Sequence, residues 1–197
     1  MGGQGRAPAE ITIRRCDPAD HAEIHAIINA AAEAYRGVIP ADRWHEPYMP
    51  ADALASELAD GVTFSGCVAQ GRLIGVMGVQ HRLNVVLIRH AYVLPEWQGH
   101  GIGARLLEHL CRDAERPILI GTWKAADWAI RFYERHGFVR VHDRDVAPLL
   151  DTYWHVPARQ IATSVVLTSP PLSSEAVRGL IAELEPSGGS ASSPDPR

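Results

Sequence analysis

Gly99, Gly101 and Gly103 lie in the segment Pro95-Glu96-Trp97-Gln98-Gly99-His100-Gly101-Ile102-Gly103-Ala104, between an apolar strand pattern and an amphipathic helix pattern. That arrangement can hold an anion. The first N–H groups of a helix have no intrahelical partner, and the helix dipole adds positive charge at the same point. Glycines keep Cβ atoms from standing between those amides and a large phosphate group. The turn alone is equally compatible with a tight connection that binds nothing, or with a dinucleotide site. A dinucleotide site expects its glycines after the first strand of a βαβ unit and an acidic residue ending the next strand. Here the turn begins only at Pro95, and the next strand, 117–122, runs on into Trp123-Lys124 without a carboxylate.

The elements that must position this turn can be read from periodicity. The strand pattern runs from Val85 to Leu94; Ile102, Leu106, Leu107, Leu110 and Cys111 share one face of a helix predicted over 102–115. Upstream, a strand is expected at 11–15, then Asp17-Pro18 as the start of a helix reaching Tyr35. A proline-punctuated loop (36–49) leads to a helix at 52–60, stopped by Gly61. An antiparallel pair at 62–70 and 72–82 turns at Gln70-Gly71. The order is βααβββ, the glycine turn, then αβαβ. A further helix at 174–184 has no evident place in this scheme.

Gln98, Gly101 and Gly103 match the Gln/Arg-x-x-Gly-x-Gly/Ala signature, with Tyr92-Val93-Leu94-Pro95 before it. Ala129-Ile130-Arg131-Phe132-Tyr133-Glu134-Arg135-His136-Gly137-Phe138 is similar to an A-x-x-x-Tyr-Glu-x-x-Gly-Phe element. On these two motifs the chain resembles the GCN5-related N-acetyltransferase (GNAT) superfamily over about 11–141, together with a strand near 161–167. The resemblance implies an α/β (α+β) fold with a mixed, centrally splayed sheet of about seven strands flanked by helices. It implies an acyl-CoA-dependent N-acetyltransferase that moves an acetyl group from acetyl-CoA to a primary amine of a small-molecule or amino-acid-like acceptor, by direct attack in a ternary complex. A non-catalytic acyl-CoA-binding or regulatory module, and a peptide or protein N-acetyltransferase, stay open as alternatives.

The resemblance also assigns residues. Backbone groups of Tyr92, Val93 and Leu94 would pair with the pantetheine arm, and the amides of Gln98, Gly99, His100, Gly101, Ile102, Gly103 and Ala104 would hold the pyrophosphate. Tyr133 would be the general acid for the departing thiolate; the alternative is an aromatic packed on the sheet. Arg89-His90 interrupts an apolar strand just before the cofactor segment. Because neighbouring strand side chains point to opposite faces, only one of the two is expected to face the acceptor. His90 is the candidate base, against a core histidine beside an Arg89 bound to a carboxylate. Glu33, Tyr35, Trp44 and Glu46, with His45, are candidates for the acceptor wall. Many relatives carry an asparagine where this chain has Ala126, which puts that cofactor contact in doubt.

No metal site is expected. His21 and His25 stand one helical turn apart without a third ligand and read as a solvated face. Trp123, Trp128, Tyr153 and Trp154 can line a pocket or fill the core. Of the three cysteines, Cys67 and Cys111 read as small core residues. The chain has 197 residues, 46% hydrophobic and 21% charged, enough for one core and too few for two ordinary domains. A net charge of −4 with no basic run argues against a nucleic-acid partner. No leader and no apolar run near ~20 residues argue against a membrane and for the cytoplasm. A homodimer stays open. The expected organisation is a disordered tail (1–9), one acetyltransferase domain (10–170), an additional helix (171–185) and a second disordered tail (186–197).

Overall fold

The computed structural model describes residues 10–154 and 156–184. The two tails expected to be disordered, 1–9 and 186–197, lie outside these residues. Among the described residues the strands are β1 (Ile11–Arg15), β2 (Thr63–Ala69), β3 (Arg72–Arg82), β4 (Val85–Val93), β5 (Ile118–Trp123), β6 (Val139–Arg140) and β7 (Ser164–Ser169). The helices are α1 (His21–Ala32), α2 (Ala51–Ala59), α3 (Ile102–Cys111), α4 (Asp127–Arg135), α5 (Asp143–Tyr153), α6 (Ala158–Ala162) and α7 (Ser174–Ala182). The strands form one sheet in the order β1-β2-β3-β4-β5-β7-β6. Only β4 and β5 run parallel, joined by the crossover through α3; every other pairing is antiparallel.

The apolar runs of the central strands follow from burial on both faces. Val85 and Leu87, with Leu119 and Val166, face α5 and α7. Their neighbours Val86 and Ile88, with Ile118, Ile120, Val165 and Leu167, face α3 and α4. The period of two along a strand sends successive side chains to opposite layers. A third cluster packs Ile24, Ile27 and Ile28 of α1 and Leu54 of α2 on Phe64, Leu73 and Val76.

Most expected elements stand within a few residues of their predicted bounds. Helix α3 ends at Cys111, earlier than expected, and 161–167 divides into the end of α6 and most of β7. Helix α5 was absent from the sequence scheme. Its interior holds Pro148, which reads as a helix breaker although Asp143 and Asp145 suit a first turn. Tertiary burial of Val146, Leu149, Leu150 and Tyr153 overrides that local signal. Helix α7, without a place in the sequence scheme, covers this same cluster through Val177 and Leu180.

Candidate active site

Strands β4 and β5 pair only at Val86–Ile118, Leu87–Leu119 and Ile88–Ile120. Beyond Ile88, β4 continues beside β3, while β5 continues from Gly121 beside β7. The strands therefore part, and each leaves a backbone edge facing the gap. A cleft of about 1160 Å³ opens there, lined by both edges, the start of α3, α4 and the segment between α1 and α2.

At the start of α3, Gly99 and Gly101 take left-handed φ values of +78° and +74°. L side chains rarely adopt this conformation, so the glycines are required by the turn itself. The first amide to bond back into the helix is that of Arg105, to the Gly101 carbonyl at 3.1 Å. Among the described residues the amides of Gly99 to Ala104 have no main-chain acceptor. The Gln98 amide is instead bonded to the Pro95 carbonyl at 3.2 Å, which removes it from the expected cradle. Its side chain has another use: Gln98 Nε2 donates to the Val93 carbonyl at 3.2 Å.

The expectation for the strand edge also needs correction. The Leu94 N–H bonds to Ile74 and its carbonyl accepts from Trp97. Alternation along β4 turns the backbone of Tyr92 toward β3 as well, opposite Val76. Val93, together with Ala91, has its backbone toward the gap. Tyr92 reaches the cleft through its ring rather than its peptide groups.

Tyr133 sits on the buried face of α4 and is 6% exposed. Its hydroxyl has no hydrogen-bond partner among the described residues, and the side chain lines the cleft. Burial, with Tyr35 and Cys111 nearby, pushes the phenol well above its ordinary value, so it holds its proton at neutral pH. Ala126 is fully buried at the start of α4, so no polar side chain reaches the cleft from that position.

The pair Arg89-His90 departs from strand alternation. The β3–β4 register shifts between Val76–Tyr92 and Gly78–Arg89, leaving one extra residue on β4, and His90 has φ +51°. This is a bulge, and it brings both side chains to one carboxylate. His90 Nε2 meets Glu57 Oε2, and Arg89 Nη2 reaches the same oxygen at 3.0 Å. Arg89 Nη1 donates to Gln80 Oε1 at 2.9 Å. The expectation that only one of the pair faces the site is overturned by the bulge. Burial raises the Glu57 carboxyl, but the hydrogen bond from His90 and the charges of His90 and Arg89 outweigh it, leaving the carboxyl below its ordinary value. Glu57 was not singled out from the sequence. The signal was present: it falls on the inward stripe of α2 with Ala53, Leu54 and Leu58.

The acceptor-wall candidates divide. Tyr35 and His45 line the cleft. Glu33 and Glu46 do not; both are exposed and bind the Arg36 guanidinium at 2.7 and 2.9 Å. Trp44 lies behind Tyr48, 5.5 Å between ring centroids, with the Arg36 guanidinium 4.6 Å over its own ring. Tyr48 is the residue that sequence reading missed here. Trp123, Trp128 and Trp154 line the cleft, whereas Tyr153 is buried across the sheet and donates to Asn84 Oδ1 at 2.7 Å. His25 is not solvated: its Nε2 lies 2.8 Å from the Met49 carbonyl and anchors the loop before α2. Among the described residues no group of three His, Cys, Asp or Glu side chains converges as metal ligands, and no helix is long and apolar enough to cross a membrane. Burial pushes the Cys111 thiol up to about 11, so it is no nucleophile at neutral pH.

Residues 61–140, which contain both motifs, match the family model of the acetyltransferase (GNAT) domain. Among characterised proteins the chain is similar to aminoglycoside N(6')-acetyltransferase type 1 of Stenotrophomonas maltophilia, 33% identical over 107 residues. That stretch is 49% of this chain and 62% of the relative, so more than a third of the relative is unmatched. Among solved structures, a PaiA N-acetyltransferase from Thermoplasma acidophilum in complex with coenzyme A is similar with a TM-score of 0.60. It is 18% identical and shares 81% of this chain and 98% of its own. An acetyltransferase of the GNAT family from Staphylococcus aureus Mu50 has the same TM-score and coverage at 17% identity. At such identities the likeness is one of fold.

Proposed function

We propose that the chain, whose residues 61–140 match the acetyltransferase (GNAT) domain, transfers an acetyl group from acetyl-CoA to the primary amine of a small molecule. The observation that carries this reading is the parting of β4 and β5, with six consecutive unpaired amides at one end and the protonated Tyr133 lining the cleft. The donor set fits coenzyme A: the amides of Gly99 to Ala104 suit a pyrophosphate, and the edge at Ala91 and the Val93 N–H suits an amide-bearing chain. Acetyl-CoA, when bound, supplies an activated thioester carbonyl. The residues of the chain do the rest. His90 in its neutral form, its Nε2 held by Glu57, takes the proton of an entering ammonium at Nδ1, directly or through water. Tyr133 keeps a proton on its hydroxyl for a departing thiolate whose ordinary value is near ~8.5. The rings of Tyr35 and Tyr92 exclude water from the space between them.

The test is a thermal-shift titration with acetyl-CoA, coenzyme A and NAD in parallel. A site filled at ~100 times its Kd stabilises the fold by about 2.7 kcal/mol. Shifts with both coenzyme A species and none with NAD, followed by thiol release on adding amines, are expected. Stabilisation by NAD alone, or by none of the three, overturns the reading.

A further inference from the structure

Resting on the proposed transfer reaction, the chemistry of the acceptor arm narrows the substrate class. Tyr35 is the centre of a group of rings. Tyr48 stacks beside it at 6.0 Å with planes 10° apart, Tyr92 stands edge-on at 6.4 Å, and Trp128 tilts against it at 5.3 Å. Trp128 is 40% exposed, so part of its ring is open to a ligand. Across the gap Trp154 lies against Gly121 of β5, where a Cβ would meet its ring at 3.4 Å. The arm thus presents aromatic faces and edges from both sides.

Its charges point the same way. Glu57 is the only carboxylate among the described residues lining the cleft, and Arg89 and His90 already occupy it. Glu33 and Glu46, outside the cleft lining, share the single guanidinium of Arg36. Of the other Arg and His side chains at this end, Arg43 is paired with Asp42, which also binds Arg159, and His45 lines the cleft. A substrate with several ammonium groups would find no unpaired carboxylate here, and its further charges would meet only ring faces, a weaker compensation than an ion pair. A flat apolar body would instead stack on Tyr35, Tyr48 and Trp128, leaving a single amine to meet His90.

We propose that the acceptor is a primary amine carried on an aromatic body, an arylalkylamine or aromatic amino acid derivative, and not a polycationic sugar or polyamine. The test compares tryptamine and 2-phenylethylamine with kanamycin and spermidine, by thiol release with acetyl-CoA. The same four amines are also titrated into coenzyme A-saturated and free protein by thermal shift, which needs no turnover. The aromatic amines are expected to show kcat/KM at least about tenfold higher. Trp128→Ala, at a half-exposed position that does not threaten the fold, should raise KM for tryptamine about tenfold with kcat little changed. Equal or better use of kanamycin or spermidine overturns the proposal, as does an unchanged tryptamine KM in both Trp128→Ala and Tyr48→Leu. Stabilisation by tryptamine without any by coenzyme A would keep the acceptor class and sink the transfer reaction. Stabilisation by coenzyme A with none by either aromatic amine would do the reverse.

Discussion

Tyr133 and His90 show how much a side chain's neighbours decide. Both were candidates from motif and position, and both line the cleft, but each is set up by residues far away in the chain. The Tyr133 phenol is protonated at neutral pH even at its ordinary value, and its side chain lines the cleft. Removing its hydroxyl while leaving the ring should therefore lower kcat about a hundredfold, within the range of general-acid effects. The KM for acetyl-CoA should stay within about twofold, since the ring and the amide cradle remain. Steady-state kinetics of Tyr133→Phe checks this; unchanged kcat would remove the acid role. His90 depends on Glu57 from α2, a partner that neither residue's local sequence reveals. Its ring lies between Phe64 at 5.9 Å and Tyr92 at 6.4 Å, which fixes the plane in which it can meet an amine.

At the level of elements, the β4 bulge couples helix α2 to the sheet through one carboxylate. Glu57 titrates below its ordinary carboxylate value in the fold. The sign follows: the Glu57 interactions contribute fully above about pH 4.3 and are lost as the pH falls through the lower folded value. Glu57→Gln should cost about 2 kcal/mol at pH 7, the worth of hydrogen bonds to a charged group. The difference from the native protein should shrink between pH 5 and pH 3, read by thermal melts across that range. A difference constant with pH would mean that Glu57 acts only through packing. The positive φ at His90 and the carboxylate on the α2 stripe are the two local departures from regular pattern that form this link. Only the second left a trace in the sequence, because a bulge is defined by a partner strand. The same holds for Leu94 and Tyr92, whose peptide groups are committed to β3 and Trp97 by pairing that no single strand announces.

For the whole molecule, the two sides of the splayed sheet are stabilised by different clusters. The β5–β7 side rests on α5 and α7, and Asn84 ties the two helices to the sheet. It accepts from Tyr153 and donates to the Leu180 carbonyl at 2.8 Å. Val177 is 1% exposed at the centre of that contact. Val177→Ala should destabilise the protein by about 2 kcal/mol, from two lost methyl-sized volumes and the cavity they leave. Denaturant unfolding measures it, and a cost below ~0.5 kcal/mol would show that α7 is merely laid on the surface. The expected scheme left this helix without a place because its amphipathic pattern states only that one face is apolar. What that face covers depends on α5, whose proline hid it.

Some of this protein was settled by local chemistry. The glycine turn before α3, the strand and helix periodicities around it and the Tyr133 motif required only nearest neighbours along the chain, and they placed the run of unpaired amides and the order of most elements. The tertiary structure decided what depends on residues distant in sequence. It decided which peptide groups along β4 stay free, that a bulge turns Arg89 and His90 together onto Glu57, and that rings from the loop before α2, from β4 and from α4 meet around Tyr35. Hydrogen-bond commitment, strand register and the meeting of side chains across elements are properties of pairs, and periodicity within one segment carries no information about its partner.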